Sequence, residues 1–334
     1  MPYYINIQKE FDTLCKDKCI AKNKIMCYIN KMYQKLIRFI RKPHKVQRVY
    51  EKIINIPYII RCKTLIRQVR NAPFEYGVSN VKRKQKIILS LTSYPARFSS
   101  IYLSLKSLLL QTLKPDKIIL WLDCPENELS EEVKFFEQFG VEIRFVNSNL
   151  KPHTKYFYAL QEYKDDLVIT IDDDIIYPNN LIETLIDKHD EYPDCVCARR
   201  VHKKMYDKNQ KLLPYNSWGD KYKKEKKPSY ELMATGVGGV LYPPNALDSR
   251  AFDEKMIQKY SLNADDVWLH WMELLNGTKV VWVPNNLQTP PNTENSQETG
   301  LRSDNVGNKR NDVYIKNMMN LFSEEINQKL NILN

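Results

Sequence analysis

From Ile87 onward the chain repeats one pattern: a short apolar run, a turn, then a stretch with helical spacing. Ile87-Ile88-Leu89-Ser90-Leu91-Thr92, Lys117–Leu122, Val141–Val146 and Leu167–Ile171 read as strands. Ser100–Gln111, Ser130–Phe139 and Thr154–Tyr163 read as the helices between and beside them. Compact strands rich in Ile, Val and Leu are buried on both faces, and parallel neighbours need a crossover, usually a helix. The alternation therefore predicts an α/β domain with a mostly parallel sheet flanked by helices. No glycine-rich dinucleotide fingerprint follows the first strand, and no phosphate-loop lysine motif occurs. Classical dehydrogenase and nucleoside-triphosphatase chemistry is set aside on that ground.

Charge divides the 334 residues unevenly. The whole chain carries +11, but residues 1–86 hold 21 Lys and Arg against 5 Asp and Glu, and residues 87–334 hold 30 against 35. A basic leader thus precedes a mildly acidic body, which argues against a nucleic-acid binder, and no zinc finger or recognition helix accompanies the charge. In the leader Ile25, Ile29, Met32, Leu36 and Ile40 recur at helical spacing among Lys31, Lys35, Arg38 and Arg41, with Pro43 as the expected stop. A second apolar and basic segment runs from Tyr50 to Val69, where Pro57 is expected to break or kink it. Such a basic helical extension suits an anionic membrane surface, or docking on the body or a partner.

No apolar run is long enough to span a bilayer, and Met1-Pro2-Tyr3-Tyr4 does not open a secretory signal. The seven cysteines are an odd number; Cys15, Cys19 and Cys27 lack a His at zinc spacing, and Cys195-Val196-Cys197 is too close for a metal pair. Free thiols in a reducing cytosol are the expectation, with a cytoplasmic protein or one peripheral on the inner face of the plasma membrane.

Asp172-Asp173-Asp174 follows directly on the strand Val168-Ile169-Thr170-Ile171. Side chains alternate in extended backbone, so Asp172 and Asp174 approach one locus while Asp173 points elsewhere. Mg²⁺ or Mn²⁺ suits such oxygen ligands and also holds a diphosphate, and strand carboxyl ends are common ligand positions. A solvated acidic turn ahead of Tyr177-Pro178 is the plainer reading. A second acidic pair, Asp265-Asp266, opens an amphipathic helix that runs to about Leu275 and stops at Gly277. These carboxylates either favour the helix dipole or serve as a general base. His270 could ligate a metal or act as a base, but packing beside Trp271 is favoured. Between the acidic sites, Gly236, Gly238 and Gly239 permit close backbone approach or a tight turn before Val240-Leu241-Tyr242.

Leu91–Arg97, His153-Thr154-Lys155, Thr170–Asp174, Gly236–Gly239 and Ala264–Trp268 together resemble a GT-A-fold nucleotide-sugar glycosyltransferase, particularly the bacterial enzymes that build capsular or surface polysaccharide. The similarity covers roughly Ile87 to Gly277 and implies a mixed, mostly parallel sheet. It implies Asp174 as principal metal ligand, with Asp172 in the metal shell or on the donor's ribose or sugar. It also implies a base in the late acidic pair and transfer with inversion. The pair is Asp-Asp rather than the more usual Glu-Asp, which leaves Asp265 and Asp266 both eligible, Asp266 preferred. Thr92, Tyr94, Arg97, Lys155 and Asp173 fall on the donor side, with Tyr94 stacking on the base, Arg97 on the base or diphosphate, and Lys155 on the phosphates. His153 positions that turn or binds donor. Gly238, Gly239, Trp218 and Trp268 fall on the acceptor side. UDP-sugar is the favoured donor and a saccharide or lipid-linked glycan the acceptor.

The expected organisation is a basic extension over 1–86, a catalytic domain over 87–283, and a loop with a helical cover over 284–334. Within it, part of Lys203–Lys227 is loop, Pro284–Gly300 is a linker or flap, and Val313–Leu330 is the last helix. Two rival functions remain: a metal-dependent nucleotidyl- or phosphotransferase, and a non-enzymatic membrane-associated scaffold.

Overall fold

The computed structural model describes residues 43–219, 225–287, 289–294 and 310–333. The chain divides into two compact units, residues 1–60 and 61–334. The expected helix over Ile25–Ile40, with Pro43 as its stop, lies outside the described residues. Pro43 begins a helix, α1 (Pro43–Asn71), and Pro57 lies inside it without ending it. A proline costs little in a helix's first turn, where its missing N–H has no intrahelical partner. In the second unit, Leu65 and Val69 of α1 are buried against Ile176 and Leu287.

Nine strands are described: β1 (Ile87–Ser93), β2 (Lys117–Leu122), β3 (Val141–Phe145), β4 (Leu167–Thr170), β5 (Val196–Ala198), β6 (Val201–Lys203), β7 (Leu232–Ala234), β8 (Val240–Tyr242) and β9 (Val280–Trp282). Seven form one sheet in the order β3-β2-β1-β4-β8-β5-β9. β1, β2, β3 and β4 run parallel, with Ser90 opposite both Ile119 and Thr170. β8 is antiparallel to β4 and β5, and β5 and β9 are parallel. The sheet is therefore mostly parallel, as the strand composition predicts, and the antiparallel β8 makes it mixed, as the GT-A resemblance implies. β6 and β7 pair separately as an antiparallel ribbon.

The helices fall between the strands: α2 (Tyr102–Leu109), α3 (Glu131–Lys134), α4 (Thr154–Glu162), α5 (Leu181–Glu191), α6 (Glu254–Tyr260), α7 (Asp265–Asn276) and α8 (Arg310–Leu333). Ser130 caps α3 by accepting a hydrogen bond from the Val133 N–H. α7 ends at Gly277, whose φ of 78° is the left-handed conformation that glycine takes without a Cβ penalty. Ile315, Met318, Phe322 and Ile326 of α8 are buried in the same core cluster as Val267, Trp271 and Leu274 of α7. The helix carrying the second acidic pair is thus clamped by apolar packing.

One topological fact positions the site. After β1 the chain moves outward through β2 and β3, then returns to place β4 on the other side of β1. The carboxyl ends of β1 and β4 consequently lie side by side at the switch point, where open α/β sheets hold their ligands.

Candidate active site

β4 delivers Asp172–Asp174 to that switch point, and β1 delivers Ser93, Tyr94 and Arg97 beside them. Alternation sends Asp173 inward, where it accepts a hydrogen bond from Ser93 Oγ at 2.5 Å and one from Arg97 at 2.5 Å. Arg97 also reaches Asp174 Oδ2 at 3.3 Å. The main chain of the turn is fixed on both sides: the Asp172 N–H donates to the Tyr177 hydroxyl at 2.9 Å, and the Asp174 carbonyl accepts from Thr293 N at 2.8 Å. Burial, then the charges of Asp172 and Asp173, push the Asp174 carboxyl up to about 7.

Lys155 ties the turn to the late helix. It sits in the first turn of α4, buried, with Nζ 2.6 Å from Asp172 Oδ1 and 2.8 Å from Asp265 Oδ2. Burial opposes its charge, but Asp172, Asp265 and Asp266 outweigh that and hold the ammonium well above the ordinary lysine value. Asp266 takes a different partner, accepting the Gly236 N–H on Oδ1 at 2.9 Å. Burial and the adjacent Asp265 push Asp266 up to about 7; Asp265, itself buried, is held below the usual carboxylate range by Lys155. Gly236 has no side chain for a spatial reason. A Cβ there would stand 2.8 Å from Lys155 Nζ and 3.0 Å from Asp172 Oδ1. Four sequence segments thus converge on one buried charged centre.

Residues 92–250 match the family model for glycosyl transferase family 2, from the end of β1 past the glycine turn. Over that stretch, just under half of the chain, the sequence is similar to glycosyl transferase family 2 domains. No curated protein sequence matches the chain. Among solved structures, it is similar to mannosyltransferase PcManGT from Pyrobaculum calidifontis, in complex with GDP-Man and Mn²⁺: 9% identity, 66% of this chain and 61% of that one, TM-score 0.40. It is also similar to S. aureus TarS 1–349 in complex with UDP, at 13% identity over 60% of this chain and 59% of that one, TM-score 0.42. A third similarity is to GalNAc-T7 with UDP, GalNAc and Mn²⁺, at 12% identity over 62% and 46%, TM-score 0.40. The chain spans about three-fifths of the length of the first two.

The other residues singled out from the sequence fall as follows. Tyr94 is 40% exposed, with the Arg97 guanidinium 5.6 Å from its ring centroid. Thr92 donates its hydroxyl to the Trp121 carbonyl at 3.0 Å, inside the β1–β2 ladder. His153 is buried between the Tyr156 hydroxyl at 3.0 Å and the Ser261 carbonyl at 2.8 Å, so it braces the turn before Lys155. Burial pushes it down to about 4, which keeps it neutral. His270 is buried beside Trp271 and Glu273, the packing role favoured from sequence. Trp218 and Trp268 are 3% and 0% exposed, and their indole N–H groups donate to the carbonyls of Leu213 and Ala251. Their faces are spent on the core instead of a sugar platform. Gly239 has φ of 84°, and a Cβ on Gly238 would meet Arg200 N at 2.7 Å.

Three participants carry no sequence signal of their own. Ser93 belongs to the quoted strand-end motif, but nothing in its pattern marks it as the partner of Asp173. Arg199 and Arg200 are visible only once β5 is seen ending against the glycine turn. A metal fits the donor set present: hard carboxylate oxygens, with burial and the charges of Asp172 and Asp173 opposing ionisation of Asp174, a cost that a divalent cation would relieve. Among the described residues no three His, Cys, Asp or Glu side chains cluster as a complete metal cage. The remaining coordination positions would fall to diphosphate oxygens and water.

Proposed function

We propose that this glycosyltransferase moves a sugar from a nucleoside-diphosphate sugar, UDP-sugar first, to a saccharide acceptor in bacterial surface polysaccharide synthesis, with inversion. The observation that carries the reading is Lys155, whose Nζ joins the acidic turn after β4 to the acidic pair opening α7. Asp174 and Asp172 would hold Mn²⁺ or Mg²⁺, which supplies positive charge against the leaving diphosphate. Asp266 is the base: it accepts the acceptor hydroxyl's proton as that oxygen bonds the anomeric carbon and the bond to the diphosphate oxygen breaks. A carboxyl near 7 suits that task, whereas Asp265 is committed to Lys155. Arg97 orients Asp173 and Asp174, and Tyr94 offers its exposed face to the nucleobase.

The domain organisation stays as proposed from sequence, with the acceptor side built by residues after Asp174. For the basic leader we propose peripheral attachment to an anionic membrane surface. Ile56, Ile59 and Ile60 are 48%, 44% and 57% exposed and recur at helical spacing beside basic residues. No described helix is long and apolar enough to cross a membrane.

The test is UDP-sugar turnover with Mn²⁺, with and without a saccharide acceptor. The expected result is UDP release accelerated by acceptor, with a new glycosidic bond of inverted anomeric configuration in the product. Transfer of a nucleotidyl or phosphoryl group instead of the sugar would refute the reading.

A further inference from the structure

Arg199 and Arg200 follow β5 at the carboxyl edge of the sheet, and the glycine turn is built against them. Gly238 packs on the Arg200 backbone, and the Thr235 N–H donates to the Arg200 carbonyl at 3.0 Å. The Arg200 guanidinium donates to Thr235 Oγ1 at 3.0 Å, one residue before the Gly236 N–H that holds Asp266. Arg199 is 3% exposed, with the Asn180 side-chain oxygen 3.4 Å from its guanidinium. Both side-chain partners are therefore neutral oxygens.

Their surroundings make this unusual. The other guanidinium described at the site, Arg97, is paired with the carboxylates of Asp173 and Asp174. Next along the chain, Lys203 pairs with Glu225, and Lys204 lies in the field of Glu231 and Glu273. No described carboxylate lies within ion-pair distance of Arg199 or Arg200. A guanidinium taken out of water without an opposite charge is costly, and a planar fork of donors matches a carboxylate or phosphate.

We propose that Arg200, backed by Arg199, recognises an acidic group on the acceptor, so that the glycosyltransferase prefers an anionic glycan. The proposal rests on the glycosyltransferase reading and names the substrate class of that site. The acceptor, not the donor, is the source of the anion because Arg200 is bonded to the segment that carries the base. The donor diphosphate belongs to the opposite set, Asp172, Asp174 and Arg97. Arg200 is a specificity-determining residue here; the proton transfer stays with Asp266.

The experiment uses the full chain with saturating UDP and Mn²⁺ and titrates two probes by ligand-observed NMR: methyl β-glucuronide, and methyl β-glucoside, its neutral counterpart. The expected result is glucuronide binding at least tenfold tighter than glucoside in the parent, and loss of that preference in R200Q with partial recovery in R200K. Equal or undetectable binding of the two probes by the parent overturns the proposal, as does a preference that survives in R200Q. A loss of UDP affinity in R200Q without change in the probe ratio also overturns it, assigning Arg200 to the donor. UDP binding by the parent, measured in the same samples, tells a failure of this proposal from a failure of the glycosyltransferase reading. Arg199→Gln is the secondary variant, because its burial makes a folding defect the competing cause.

Discussion

Asp265 and Asp266 are adjacent in sequence and opposite in electrostatics, because one faces an ammonium and the other a backbone amide. Asp266→Asn should lower kcat by about 10²–10⁴, the usual contribution of a positioned base, while donor affinity changes little. Competition binding of UDP-sugar alongside turnover separates the two. The sign with pH follows from the proposed role: as a base Asp266 would have to be ionised to take a proton, so kcat/KM should rise as pH increases through about 7 and then level. Asp174→Asn should nearly abolish Mn²⁺-dependent donor binding. If Asp174 holds the metal as proposed, a proton competes for it below about 7 in the parent. Mn²⁺ with UDP should therefore raise the thermal midpoint more at pH 8 than at pH 5.5. Sequence alone leaves this pair undecided, since both residues open the same helix, and the distinction comes from Lys155 and Gly236, far away along the chain.

At the scale of elements, the strands are legible because apolar runs on a two-sided buried sheet have few other places to go. β2 matches its expected span, and β3 and β4 each end one residue earlier than expected. α2 covers Tyr102–Leu109 within the wider span Ser100–Gln111, the common uncertainty at helix ends. One proline misleads: Pro57 does not end α1, whose later turns are packed at Leu65 and Val69. Tryptophans mislead for another reason. A core carbonyl satisfies the indole N–H of Trp218 or Trp268 as well as a sugar hydroxyl would, and sequence does not distinguish these partners. The glycine turn supports a sharp prediction. Gly236→Ala inserts a methyl between Lys155 and Asp172, so donor binding and transfer should fall by more than tenfold. Calorimetry and UDP titration would check it; unchanged affinity would show that the centre can spread. Gly238→Ala meets backbone, which yields less than a side-chain end, and should cost about 1–3 kcal/mol of stability.

For the whole molecule, the sheet order is what converts separated motifs into a site, and periodicity does not reveal strand order. β4 returning beside β1, and β8 entering antiparallel, bring residues near 95, 155, 172, 236 and 266 together. Replacing Lys155 with Met would strip the buried Asp265 and the half-buried Asp172 of their shared ammonium, and loss of one partner from a buried pair typically costs about 3–5 kcal/mol. Urea unfolding of Lys155→Met should show a loss of that size, with donor binding lost as well. The leader makes its own prediction at this scale: the full chain should co-sediment with anionic vesicles at low salt and release as salt rises. Absence of binding at low salt would leave docking on a partner as the role of the basic segment.

A single ammonium shared by Asp172 and Asp265 has a genetic consequence. Neither carboxylate can be exchanged for a neutral residue without altering the charge felt by the other, so the three positions should change together. Descendants of this chain that lose Lys155 should have lost or replaced both aspartates too.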